Sequence, residues 1–178
     1  MQSLKEDDGI REAPATYRIR LPVLLLLALL VSLPAGALAD EFSGRVVTIT
    51  DGNTIKVLHK GVAEQIRLHG VDCPEEGQPF GTPAKRFTAA MVYGKDVTVR
   101  THGLGQDGLT VGDVILPDGT NLGRELVKAG WAWWYRKYAP RDEVLRKLES
   151  EARRAKRGLW ADKNPIPPWE WRNRKRAQ

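Results

Sequence analysis

Cysteine occurs once in 178 residues, at Cys73, so no internal disulfide can hold the chain together. Histidine occurs three times, at His59, His69 and His102, with no metal-ligand spacing, and none is read as functional. No apolar stretch reaches the length of about 20 residues that a helix needs to span a bilayer. No segment repeats another, which excludes solenoids and propellers. Acidic residues are outnumbered, 22 Asp and Glu against 28 Lys and Arg, for a net charge of +6. Residues 1–39 carry four of each sign, so the whole excess lies in the remainder, 24 against 18. A basic surface suits a polyanionic partner. The length allows one domain plus appendages, with enough residues for a core.

The N-terminal 20 residues are polar and end in Tyr17-Arg18-Ile19-Arg20. Residues 21–33 are an apolar run of thirteen, followed by Pro34, Gly36 and then Ala37-Leu38-Ala39. A positive segment, a short apolar run and a small-residue A-x-A site together read as a secretory signal peptide cleaved near Ala39. The other reading is an uncleaved membrane anchor, and it alone would bring the protein to a membrane. On both readings the rest of the chain is exported, to the periplasm or the extracellular space.

Beyond Asp40 the pattern turns to strands. Residues 42–50, 54–59 and 63–69 are apolar-rich, joined by Asp51-Gly52 and Lys60-Gly61, and read as a three-stranded meander. Pro83 opens a helix over 82–93, and Gly94 closes it. Residues 95–101 and 110–116 are the fourth and fifth strands. Leu122, Leu126 and Val127 mark a short helix ending at Gly130. Residues 141–157 form the clearest helix, with Val144, Leu145, Leu148 and Ala152 on one stripe and charges placed as the helix dipole prefers. Five strands and then helices, an α+β pattern, are compatible with a small closed sheet.

Chemistry concentrates in Arg67-Leu68-His69-Gly70-Val71-Asp72-Cys73-Pro74-Glu75. An arginine at a strand end meets two carboxylates in the loop that follows. A carboxylate pair can hold a hard divalent cation, or one of the two can act as general base. The arginine can grip a phosphate in bidentate fashion. The bland reading of such a short motif is a solvated turn with one surface ion pair.

Context decides between these readings. Val46-Val47-Thr48-Ile49-Thr50-Asp51-Gly52-Asn53-Thr54-Ile55-Lys56-Val57, then R-L-H-G-V-D-C-P-E, then Gly77-Gln78-Pro79-Phe80-Gly81 resemble, in that order, the staphylococcal nuclease (thermonuclease-like) family. The resemblance runs from about Phe42 to Trp160. It implies a five-stranded OB-type β-barrel with three α-helices over residues 40–162, leaving 163–178 as a Trp- and Arg-rich tail. It also implies a nuclease that hydrolyses DNA or RNA with a bound Ca²⁺, exported on the N-terminal reading above; no obligate protein partner is evident in the sequence. Asp72 would coordinate the ion with help from the backbone carbonyl of Cys73. Glu75 would be the general base, and Arg67 would bind the scissile phosphate. In the family a tyrosine near Tyr138 packs on a base, so Tyr138 and Lys137 are candidates for nucleic-acid contact. The other reading for these two is packing at the barrel rim. For Trp131 and Trp133 core packing is expected.

The chain departs from the family at three places. Asn53 stands where a second calcium-binding aspartate is expected; an amide oxygen can still bind calcium, but weaker affinity follows. Asp51, two residues earlier, reads as a turn carboxylate. Leu109 stands where a second catalytic arginine is expected, and Asp107 replaces a phosphate-facing tyrosine. Leucine cannot donate to a phosphorane, and aspartate repels it. Loss of one such donor costs about 2–4 kcal/mol in the barrier. Arg100 is a candidate for compensation. Reduced turnover is therefore expected; the alternative is a catalytically degenerate nucleic-acid-binding barrel. For residues 165–178 a solvated tail is the default, against docking through its tryptophans.

Overall fold

Alternating burial builds the first three strands, β1 (Glu41–Ile49), β2 (Thr54–His59) and β3 (Val62–Leu68). Ile55 and Val57 on β2, with Ile66 and Leu68 on β3, point inward and are buried, as a period of two requires. The structure, a computed structural model, describes residues 40–177. The signal-peptide and anchor readings concern residues that lie outside this range. Among the described residues no helix is long and apolar enough to cross a membrane.

A two-residue strand β4 (Val71–Asp72) follows, then helix α1 (Gly81–Val92) and strands β5 (Asp96–Leu104) and β6 (Thr110–Ile115). Neighbours run β1-β2-β3-β6-β5, and β5 pairs back onto β1, closing a barrel. All pairs are antiparallel except β3 with β6, where Arg67 lies opposite Val111. A parallel pair needs a long crossover, here the chain through β4, α1 and β5. This is the expected OB-type α+β barrel. The core is largely aliphatic: Val99 and Val114 of the barrel are fully buried in one cluster with the inward residues of β2 and β3 and with Leu122 and Leu126 from the helix that follows β6.

Helix α2 (Leu122–Ala129) starts at Asn121, whose side chain accepts from the Arg124 N–H. β7 (Trp133–Trp134) pairs antiparallel with β4, Asp72 opposite Trp133. Helix α3 (Glu143–Arg154) is shorter than the expected 141–157 because Asp142 caps it, accepting from the Leu145 N–H at 2.9 Å. A 3₁₀ turn spans Gly158–Ala161. Among the described residues the three expected helices are present, and a fourth, α4 (Pro168–Arg176), is added by the tail. The default of a solvated tail is thereby corrected. Trp169 stacks on Tyr135 at 5.1 Å and meets Trp133 edge-on at 5.8 Å, so aromatic burial draws the segment onto the domain.

Candidate active site

The candidate residues come from the Asp51-Gly52 turn, the end of β3, and the loop between β4 and α1. Gly52 lets that turn press on the loop: a Cβ there would lie 2.6 Å from the Cys73 Cβ. The Thr88 hydroxyl of α1 donates to the Gly52 carbonyl at 2.6 Å, fixing the turn from the other side. Asn53 is buried, and its side-chain oxygen accepts from the Cys73 N–H at 3.1 Å. Asp51 Oδ1 accepts from the Asn53 N–H at 2.9 Å, the turn role expected of it.

β4 holds Asp72 in place. Its partner β7 is clamped by α3, where buried Glu149 accepts from the Trp134 N–H at 3.2 Å. The rest of the loop winds tightly around Gln78. The Glu75 N–H donates to Gln78 Oε1, and the Gln78 N–H donates to the Glu75 carbonyl, each at 3.0 Å. At the start of α1 a Cβ on Gly81 would sit 2.1 Å from the Glu75 carbonyl oxygen, so only glycine allows this approach.

Arg67, Asp72 and Glu75 are brought into one electrostatic neighbourhood, with Asp51 added. Burial pushes the Asp72 carboxyl above its ordinary range; hydrogen bonding to Arg172 opposes this without cancelling it, and the Glu75 charge adds to it. Asp51 is also raised, first by burial and then by Glu75, against its own hydrogen bonds. Burial drives the Cys73 thiol well up, with Asp51, Asp72 and Glu75 reinforcing it, so a thiolate there is not a usable nucleophile.

Two pairings are not foreseen by the sequence. Arg67 Nη1 lies 2.5 Å from Asp107 Oδ2. Asp107 therefore holds the arginine expected to grip phosphate, as well as adding negative charge at the loop. From α4, Arg172 reaches both site carboxylates: Nη2 to Asp72 Oδ2 at 2.7 Å, and Nη1 to Glu75 Oε1 at 2.5 Å and to Asp72 Oδ1 at 3.4 Å. Burial works against the Arg172 charge, but the bonds to Asp72 and Glu75 outweigh it and hold it firmly ionised. Leu109 places no donor at the site, and Arg100 is bound to Glu41 at 2.8 Å. Tyr138 is 48% exposed and Lys137 Nζ lies 5.4 Å from its ring centre, so both remain open to a ligand. Trp133 is buried and Trp131 half-buried against the core.

The donor set Asp51, Asp72, Glu75 and Asn53 is all oxygen, suited to a hard cation. The guanidinium between Asp72 and Glu75 is a stand-in showing that this position takes positive charge. His69, His102 and Asp113 also gather, with His102 Nε2 at 2.8 Å from Asp113. The two rings are stacked at 3.9 Å and 16°, however, so their in-plane lone pairs do not converge on one ion.

A family model described as Staphylococcal nuclease homologue matches residues 65–162. An uncharacterized endonuclease of Escherichia coli is 44% identical over 138 residues, covering 78% of this chain and 90% of the relative. A micrococcal nuclease of Shigella flexneri is 38% identical over 159 residues, 84% of this chain and 90% of the relative. An uncharacterized endonuclease of Haemophilus influenzae is 33% identical over 155 residues, 86% of each.

Proposed function

Because the chain belongs to the staphylococcal nuclease homologue family, we propose that it is a nuclease hydrolysing phosphodiester bonds of DNA or RNA. The observation that carries this reading is the convergence of Arg67, Asp72 and Glu75 with Asp51 at one end of the barrel. Glu75 takes the proton of the attacking water. Arg67, once released from Asp107, donates to the phosphate and stabilises the charge that develops there. Asp72 and Asp51, with the amide oxygen of Asn53 and the carbonyl of Cys73, are the groups that would hold calcium. A calcium ion would supply charge neutralisation at the phosphate. Tyr138 and Lys137 offer a stacking face and a cation to the strand.

Turnover is low on this reading, since Leu109 supplies no donor and Asp107 competes for Arg67. Calcium binding is weak, because Asn53 lacks a carboxylate's charge. A second reading, a binding barrel without catalysis, is favoured by one observation: Arg67, Asp72 and Glu75 are all ion-paired within the protein. A nuclease assay of the purified protein with calcium, beside a Glu75→Gln control, separates the two. Calcium-dependent cleavage lost in the control supports the nuclease. Salt-dependent binding with no cleavage above the control supports the binding barrel. Export, by cleavage near Ala39 or as an anchored domain, belongs to the same proposal and rests on residues 21–39. N-terminal sequencing of envelope protein tests it: Asp40 at the start means cleavage, and Met1 means an anchor.

A further inference from the structure

Helix α4 reaches the carboxylates through a chain of specific contacts. Pro168 is buried, and Trp169 lies flat on Tyr135. Just before the helix, the Ile166 carbonyl accepts from Gln78 Nε2 at 2.6 Å. The same Gln78 side chain takes the Glu75 N–H on its oxygen, so the tail and the loop carrying Glu75 share one residue. Arg172 stands three positions after Trp169, on nearly the same helical face, and its fork ends between Asp72 and Glu75.

We propose that Arg172 is the site's own tethered cation, the residue that sets how much calcium the carboxylate pair requires. This rests on the reading above that Asp72 belongs to a calcium site. Asp72 is nearly sealed, its side chain 7% exposed. A sealed carboxylate without a partner is strongly destabilising, so the metal-free protein needs a positive charge there. Arg172 provides it, with a donor on each Asp72 oxygen. An ion bound to Asp72 needs oxygen contacts at about 2.3–2.6 Å, in the space the guanidinium fills, and two positive groups there repel. Calcium must therefore displace Arg172. Glu75 is caught in the same exchange. While Oε1 holds Nη1 it is a poor acceptor for a water proton, and it is freed when α4 lets go. Metal loading and release of the base are thus one event.

Calcium titration by calorimetry on the full chain tests this, comparing wild type with Arg172→Gln. The variant should bind at least about tenfold more tightly, the worth of one charge-assisted hydrogen bond. Equal affinities overturn the proposal. Absence of calcium binding by both proteins overturns the cation site itself, and this assignment with it. Thermal melts separate competition from simple scaffolding. Arg172→Gln should melt lower than wild type in EDTA and gain more from added calcium. A loss that calcium does not restore makes Arg172 a structural contact and sinks the idea. Trp169→Ala leaves every carboxylate intact but loosens α4, and should tighten calcium in the same direction by a smaller factor. No change in that variant would also count against displacement.

Discussion

The loop from β4 to α1 and the hairpin end between β5 and β6 both neighbour Arg67 at the end of β3, which pairs with Asp107 and acts on Asp72 through its charge, yet they are held in different ways. In the first, Val71, Asp72, Cys73 and Gln78 are buried, tied to the Asp51-Gly52 turn, to β7 and to the tail. In the second, Gln106, Asp107 and Gly108 are exposed, and Leu104 keeps 75% of its surface in water. Its own bonds are local: Gly105 N–H to the Leu109 carbonyl at 2.8 Å, and Gly108 N–H to the Gly105 carbonyl at 3.0 Å. A change in the first loop disturbs packing and buried charge. A change in the second meets solvent. If Leu109 stands in the place of a family arginine, as the resemblance implies, the change costs chemistry with little consequence for folding.

The sharpest test of that contrast lies in the first loop. Glu75→Gln should lower kcat by about 10²–10⁴ if Glu75 is the base, measured on single-stranded DNA with saturating calcium. Its side chain is 39% exposed and the amide can still meet Arg172, so the melting temperature should barely move. Unchanged kcat would transfer the base to another residue.

Next in size is repair of the second loop. Asp107→Tyr with Leu109→Arg should raise kcat by about 10²-fold, with no loss of thermal stability. Freeing Arg67 is part of the gain, so the gain should vanish in an Arg67→Ala background, as expected for groups acting as a unit. Repair that unfolds the protein would break the comparison, because the hairpin end would then be structural. Repair that changes nothing would show that the missing donor is already supplied elsewhere.

The two regions also differ in how far the sequence reveals them. The strand pattern, the Asp51-Gly52 turn and the cluster from Arg67 to Glu75 are local, and a nine-residue span with period-two flanks is enough to place them. Arg172 lies 97 positions from Glu75 and reaches it only because Trp169 docks α4. The tail's tryptophans and arginines are visible in the sequence, but the face on which they land is not. Asp107 reads in sequence as a charge facing phosphate; its hold on Arg67 depends on the barrel bringing the end of β3 beside the hairpin end. The burial of Asp51 among the other carboxylates is likewise tertiary, while its role in the turn is local.

A smaller effect is expected at Asn53. Asn53→Asp keeps the acceptor for the Cys73 N–H but adds charge to a site already holding Asp51, Asp72 and Glu75. The metal-free protein should lose on the order of 2 kcal/mol, a fall in Tm of about 4–8 °C. Calcium should bind more tightly and reverse the fall. Equal calcium affinity in the two proteins would remove Asn53 from the metal site, leaving its bond to Cys73 as its role.

The smallest effect lies where the turn after β3 meets the far end of β5. His69 follows β3, His102 belongs to β5, and their rings stack at 3.9 Å beside Asp113. Burial lowers the His69 pKa, and the His102 charge lowers it further, against the opposing pull of Asp113, the Tyr138 backbone and Asp142. A histidine whose folded pKa is depressed favours the neutral form in the fold. Its contribution to stability is present above the unfolded value near 6.5 and is lost as pH falls below it. Asp113 is also lowered; burial opposes this, but its bonds to His102 and Asn121 prevail. Its contribution is lost only below the ordinary carboxylate value of 3.8. Acidification should therefore weaken the protein in two separate windows. His69→Gln should flatten the plot of Tm against pH just below 6.5 while leaving the lower window in place. If the variant keeps the slope in the upper window, another group titrates there and the stacked pair does not join the end of β3 to β5 energetically.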